Sequence, residues 1–202
     1  MAGDATQFPL WLKIGYTLFV CVLVPVYLRH YGPANFLWFS DVALLAMVPG
    51  LWAESRLIVS TMTLAVALPE LVWNIDFFAR LLTGRAPLGL AGYMFDRSTP
   101  RFLRGLSLFH VALPVLLVWA VARLGYDPRA VWVQTVLGTV LFILAYALTN
   151  PAENINWVFG PGAKPQRFMP RRAYLALVTV FFPLIVYWPT HLVLVRLFPI
   201  AP

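Results

Sequence analysis

Four ionisable side chains, Asp41, Glu70, Asp76 and His110, and the amide Asn74 interrupt otherwise apolar runs of this sequence. An ionisable group in apolar surroundings is costly unless it is paired, so each is a candidate site. Glu70 and Asn74 stand four residues apart and share a helix face, with no basic residue at i±3 or i±4 of Glu70. His110 is the one histidine in this set. A neutral imidazole serves as general base, metal ligand or interhelical hydrogen-bond partner, and spacing alone leaves these open. Candidate nucleophiles are Ser40, adjacent to Asp41, and Thr149. Neighbours on a helix diverge by about 100°, so Ser40 and Asp41 do not aim at one point. An aspartate can instead orient a histidine from another helix while a hydroxyl attacks an ester. Asp41, Glu70, His110 and Ser40 are therefore the candidate catalytic set.

Other polar residues have plainer readings. Asp76 and Arg80 stand at i,i+4 and are expected to form an ion pair. Residues 150–162, NPAENINWVFGPG, form a polar, turn-rich stretch. Its Asn150, Glu153, Asn154, Asn156 and Trp157 cap a cavity, bind lipid headgroups or simply end a helix at the interface, and Asn74 joins them as a candidate ligand-binding residue. No GxSxG elbow, Walker loop or Rossmann glycine pattern occurs, and three scattered histidines do not make an HExxH or diiron site. His191 belongs to the far end of the last apolar run, which sets aside a bis-histidine haem with His110; no metal site is assigned and no cofactor is named.

The elements that must position these groups follow from composition. Of 202 residues, 61% are hydrophobic and 11% charged, whereas soluble domains carry about 25% charged residues. A water-soluble domain is excluded. Spanning a bilayer takes roughly 17–25 mostly apolar residues, and six runs qualify, at about 8–28, 36–53, 57–82, 103–124, 130–148 and 173–197. The expected fold is all-α: a polytopic integral membrane protein, a six-transmembrane-helix bundle forming one domain over residues 1–202. The opening MAGDATQ has no basic n-region or small-residue cleavage site, so the first run is expected to be a retained span. Prolines 25, 49, 69, 114, 183 and 189 fall inside spans and are expected to bend them. Cys21, in an apolar run, is expected to be a packed thiol.

The net charge of +7 lacks the polar surface a nucleic-acid binder needs, so a lipid bilayer and not a nucleic acid is the expected partner. Ten of the 15 basic residues fall in connections one, three and five. By the positive-inside rule those connections face the cytoplasm, which places both termini of a multi-pass cell-membrane protein on the other side. Because spans alternate in direction, Asp41, Asn74 and His110 share a depth of roughly 8–10 Å below that face, converging on one cytoplasm-facing polar cavity. The apolar PLGLAGYMFD of loop three is expected to lie among headgroups, Tyr93 and Phe95 dipping inward and Arg97, Arg101 and Arg104 facing phosphates; it reads equally as an anchor or a gating lid. Trp11, Tyr31, Trp52, Trp73, Tyr174 and Trp188 suit an aromatic belt.

NFLWFSDVALL (35–45), His110 followed by VALP, and INWVFGP together resemble the androgen-induced family of six-helix intramembrane lipid hydrolases and small bacterial multi-pass membrane proteins of unassigned role. The resemblance implies cleavage of fatty-acid esters within the bilayer by a threonine and the fourth-span histidine. His110 takes the histidine's place; Trp38 stands where the threonine aligns, so the nucleophile is not carried over. Two functions follow: a lipid-processing hydrolase or acyl transferase, or a non-catalytic membrane subunit that packs on a larger complex or holds a lipid, quinone or carotenoid. A transporter is disfavoured because no polar route crosses to the other leaflet.

Overall fold

The structure is a computed structural model describing residues 6–162 and 164–199; the first five residues of MAGDATQ lie outside it. Among the described residues every regular element is helical. In chain order these are α1 (Leu10–Tyr31), a 3-10 turn (Pro33–Leu37), α2 (Phe39–Trp52), α3 (Arg56–Thr83), a 3-10 turn (Gly92–Phe95), α4 (Arg101–Leu106), α5 (Phe109–Leu124) and α6 (Ala130–Leu148). A 3-10 turn (Ile155–Trp157), α7 (Arg171–Phe181), a π-helical turn (Phe182–Tyr187) and α8 (Trp188–Leu197) complete the chain. Five helical stretches, counting α4–α5 and α7–α8 as one each, are long and apolar enough to cross a membrane.

The second expected span is shorter than its apolar run. Trp38 adopts extended backbone and α2 covers 14 residues, about 21 Å at 1.5 Å per residue. The cause lies far along the chain: the Asn156 side chain accepts from the Phe39 N–H at 3.1 Å and donates to the Leu37 carbonyl at 2.7 Å, fixing the break. The fourth run is also interrupted. Between α4 and α5 the Leu108 N–H reaches Gly105 O and the His110 N–H reaches Ser107 O, three residues back instead of four. Pro183 opens the π-helical turn in the last run, a place where the i→i−4 ladder cannot continue.

α3 is the central element and packs on α5, α2 and α6. Val59 through Val66 are buried around its whole circumference, as expected of an apolar helix inside a bundle. Ser55 caps its start, the hydroxyl accepting from the Ile58 N–H. Its end turns on Gly84 at φ 72°, a left-handed conformation that a side chain would strain, and the Gly84 N–H closes on Arg80 O. Outside the core the surface is apolar: Leu68, Leu71, Ile75, Phe78 and Leu82 form an exposed stripe on α3. Such a stripe suits hydrocarbon as its solvent.

Packing corrects three expectations. α1 buries only Lys13, Val20, Leu23 and Tyr27, so Cys21 is exposed on its outward side instead of packed. Trp73 and Tyr174 are buried and leave the aromatic belt, while Trp11, Tyr31, Trp52 and Trp188 are exposed. Asp76 does not pair with Arg80. Its carboxylate accepts from the Leu88, Gly89 and Ala91 N–H groups at 2.8, 3.1 and 3.0 Å, and Arg80 lies over the Phe95 ring. Three convergent amides outcompete one flexible guanidinium, because the 84–91 segment folds back onto the helix end.

Candidate functional site

The end of α1, the start of α2, the middle of α3, the α4–α5 break and the turns of loops one, three and five enclose a cavity of about 370 Å³. Asp41, Glu70, His110, Ser40 and Trp157 all line it. The central contact joins α3 to α5: Glu70 Oε1 lies 2.8 Å from His110 Nδ1. With the Nδ1–H donating to Glu70 Oε1, the Nε2 lone pair is the basic position of the ring. Glu70 is 4% exposed, and its Oε2 meets no partner among the described residues. The imidazole is stacked between Trp73, with ring centres 4.7 Å apart, and Phe109, at 4.1 Å. Two aromatic rings and one carboxylate thus restrict the orientation of the imidazole.

Asn74 does not line the cavity but aligns it. Its amide group donates to the Glu70 carbonyl and to the His110 carbonyl, both at 2.8 Å, clamping the two helices at the level of the dyad. Asp41 is buried in the first turn of α2, where the helix dipole favours a negative charge, and accepts from the Asn35 amide at 3.3 Å. Ser40 faces the same cavity from the α2 start. Trp157 reaches it from loop five and meets Trp38 edge-on at 6.0 Å.

The remaining polar residues of loop five serve its own shape. Asn154 is buried and holds the loop together, accepting from the Phe159 N–H and donating to Gly160 O and Gly162 O. Asn150 and Glu153 are exposed and bond within their own turn. Thr149 donates to Ala145 O at 2.6 Å. None of these four lines the cavity. Arg104 also departs from expectation: half-buried, it donates to Met94 O at 3.3 Å and so ties down loop three instead of facing outward.

Tyr27, Asn35 and Ser107 were not singled out from the sequence, whereas Tyr93 and Asn156 were, and all five line the wall. Tyr27 and Ser107 are both buried, and their hydroxyl oxygens lie 2.6 Å apart. Tyr93, from the loop-three turn, and Asn35 and Asn156 add further hydrogen-bonding groups. Burial pushes the Tyr93 phenol well above its ordinary range, keeping it a donor. The one available signal was spacing, since Ser107 precedes His110 by three residues.

The cavity can therefore present a base, two carboxyl groups and several hydroxyls beneath aromatic walls. Among the described residues no three His, Cys, Asp or Glu side chains gather as a metal site would require. No protein-family model matches this chain, and no curated protein or solved structure matches it either.

Proposed function

We propose that this chain is a six-helix integral protein of the cell membrane and that its cavity hydrolyses or transfers the acyl groups of lipids. His110 is the general base, Glu70 orients it and stabilises the imidazolium, and Asp41 tunes the charge of the site. The observation that carries the reading is the 2.8 Å contact between Glu70 and His110 inside a cavity lined by both polar and aromatic side chains. A carboxylate on one imidazole nitrogen, with the other left to take a proton, is the arrangement that acyl transfer uses. The likeness of the His110 segment to the androgen-induced hydrolases points the same way.

The short α2 completes the six crossings together with its flanking 3-10 turn. Connections one, three and five face the cytoplasm, following their ten basic residues. The cavity, lined from those connections, opens to the cytoplasmic leaflet, and both termini lie on the opposite side. The bilayer is then both solvent and source of substrate. The test is turnover of a panel of fatty-acyl esters by the purified chain in lipid nanodiscs. Hydrolysis that depends on His110 supports the reading; no hydrolysis of any ester overturns it and leaves the cavity to a bound lipid or quinone.

A further inference from the structure

We propose, resting on the acyl-transfer reading of the cavity, that Ser107 and not Ser40 is the nucleophile, with the Tyr27 phenol as the donor that receives the developing oxyanion. Ser107 sits at the break between α4 and α5 and lines the same cavity as His110. The His110 N–H closes on the Ser107 carbonyl at 3.2 Å, a three-residue bond, and side chains three apart in such a turn eclipse one another. The serine and the imidazole therefore leave the chain on one line, while Glu70 occupies Nδ1 from the other helix.

Tyr27 distinguishes Ser107 from the other hydroxyls. Ser107 donates its proton to Leu103 O at 3.0 Å, so at 2.6 Å the Tyr27 hydroxyl donates to Ser107 Oγ. Both side chains are buried, Ser107 at 2% and Tyr27 at 3% exposure. A phenol that already points at the attacking oxygen stands within reach of the carbonyl oxygen bonded to the same carbon. Ser40 has no such neighbour: its hydroxyl bonds to nothing among the described residues, and Asp41 diverges from it along the helix.

The step balances without a cofactor. Ser107 Oγ bonds to the ester carbon while its proton, released from Leu103 O, passes to His110 Nε2. The carbonyl electron pair moves to oxygen and is held by the Tyr27 O–H. Collapse breaks the bond to the alcohol, which leaves with the proton from His110. Water then gives a proton to His110 and attacks the acyl-serine, releasing the acid and restoring the Ser107 hydroxyl.

A fluorophosphonate, which exchanges its fluoride for a nucleophilic serine oxygen, tests this on the full chain in detergent, with the adduct mapped by mass spectrometry. The expected adduct is on Ser107, absent in Ser107→Ala and formed at least about 10²-fold more slowly in His110→Ala. Tyr27→Phe is expected to lower kcat by about 10²-fold while KM holds. Mapping on the unmodified chain needs no variant to fold. Ester turnover with the adduct on Ser40, on Thr99, which also lines the cavity, or on no residue overturns Ser107 and leaves the acyl-transfer reading standing. An adduct on Ser107 without turnover of any ester upholds the serine and overturns the ester as substrate, and absence of both overturns the two together.

Discussion

Glu70 Oε1 lies 2.8 Å from His110 Nδ1, and one turn along α3 the Asn74 amide donates at 2.8 Å to the carbonyl of that same histidine. Side chain and backbone of His110 are thus both held by one face of α3. The rigidity matters because a general base works only when its free nitrogen stays aimed, and here the ring is also closed in by Trp73 and Phe109.

Glu70→Gln keeps the shape of this contact and changes its chemistry. A glutamine amide can present N–H to Nδ1, which selects the tautomer with the proton on Nε2 and removes the charge that balances an imidazolium. We expect kcat to fall by about 10²–10⁴-fold with KM little changed. Steady-state kinetics on acyl esters measures this, and an unchanged kcat would remove Glu70 from the mechanism.

Asp76 is expected to be a fastener of loop three. Its carboxylate takes three backbone N–H groups of residues 88–91 while fully buried, and hydrogen bonds to a charged group are worth about 1.5–3 kcal/mol each when isolated. Asp76→Ala should lower stability by about 2–4 kcal/mol and speed tryptic cleavage at the exposed Arg85. Thermal unfolding and limited proteolysis read the two effects. A variant as stable and as resistant as the parent would show that the segment is held by its apolar contacts alone.

Gly138 marks a close approach between α6 and the π-helical turn. A Cβ built there would stand 2.6 Å from the Tyr187 hydroxyl and 3.3 Å from two ring carbons, and Tyr187 is fully buried. Gly138→Ala is expected to destabilise by about 1–3 kcal/mol. Adding Tyr187→Phe removes the nearest atom and should recover part of the loss. A double-mutant cycle with no coupling would contradict the packing.

Acid should weaken the end of the bundle away from the cavity. The Arg129 side chain, followed by its backbone N–H, holds Asp127 below the usual carboxylate range; the Lys13 ammonium and the Gln7 N–H do the same for Glu54. Carboxylates depressed in the folded state contribute stability that is present above their unfolded values and lost as pH falls through the folded ones. Unfolding temperature should therefore hold from neutrality to about pH 4–5 and decline below it, near the ordinary carboxylate values. The slope should be shallow, since the Arg129 side chain is 77% exposed, and Asp127→Asn with Glu54→Gln should flatten it. A pH-independent melting curve would refute the assignment.

Asp41, Glu70 and His110 were legible in the sequence because an ionisable residue inside an apolar run is conspicuous, and helix direction alone brings Asp41, Asn74 and His110 to one level, with Glu70 one turn from Asn74. Ser107 and Tyr27 were not, since uncharged hydroxyls in apolar helices bond to their own backbone so commonly that type carries little information. The reverse held for Asn150 and Glu153: in a polar turn, polarity points to no site. Helical spacing paired Asp76 with Arg80 because it counts only neighbours on one helix, whereas the true donors come from a loop 12–15 residues ahead. The shortness of α2 escaped for the same reason, its break being set by Asn156 from 117 residues away.

The role of His110 as general base is read from the hydrolysis rate of a fatty-acyl ester in nanodiscs, comparing the parent chain with His110→Ala, with circular dichroism confirming that both are folded. A loss of at least about 10²-fold in kcat is expected of a missing general base. Equal rates in two equally folded proteins would contradict it.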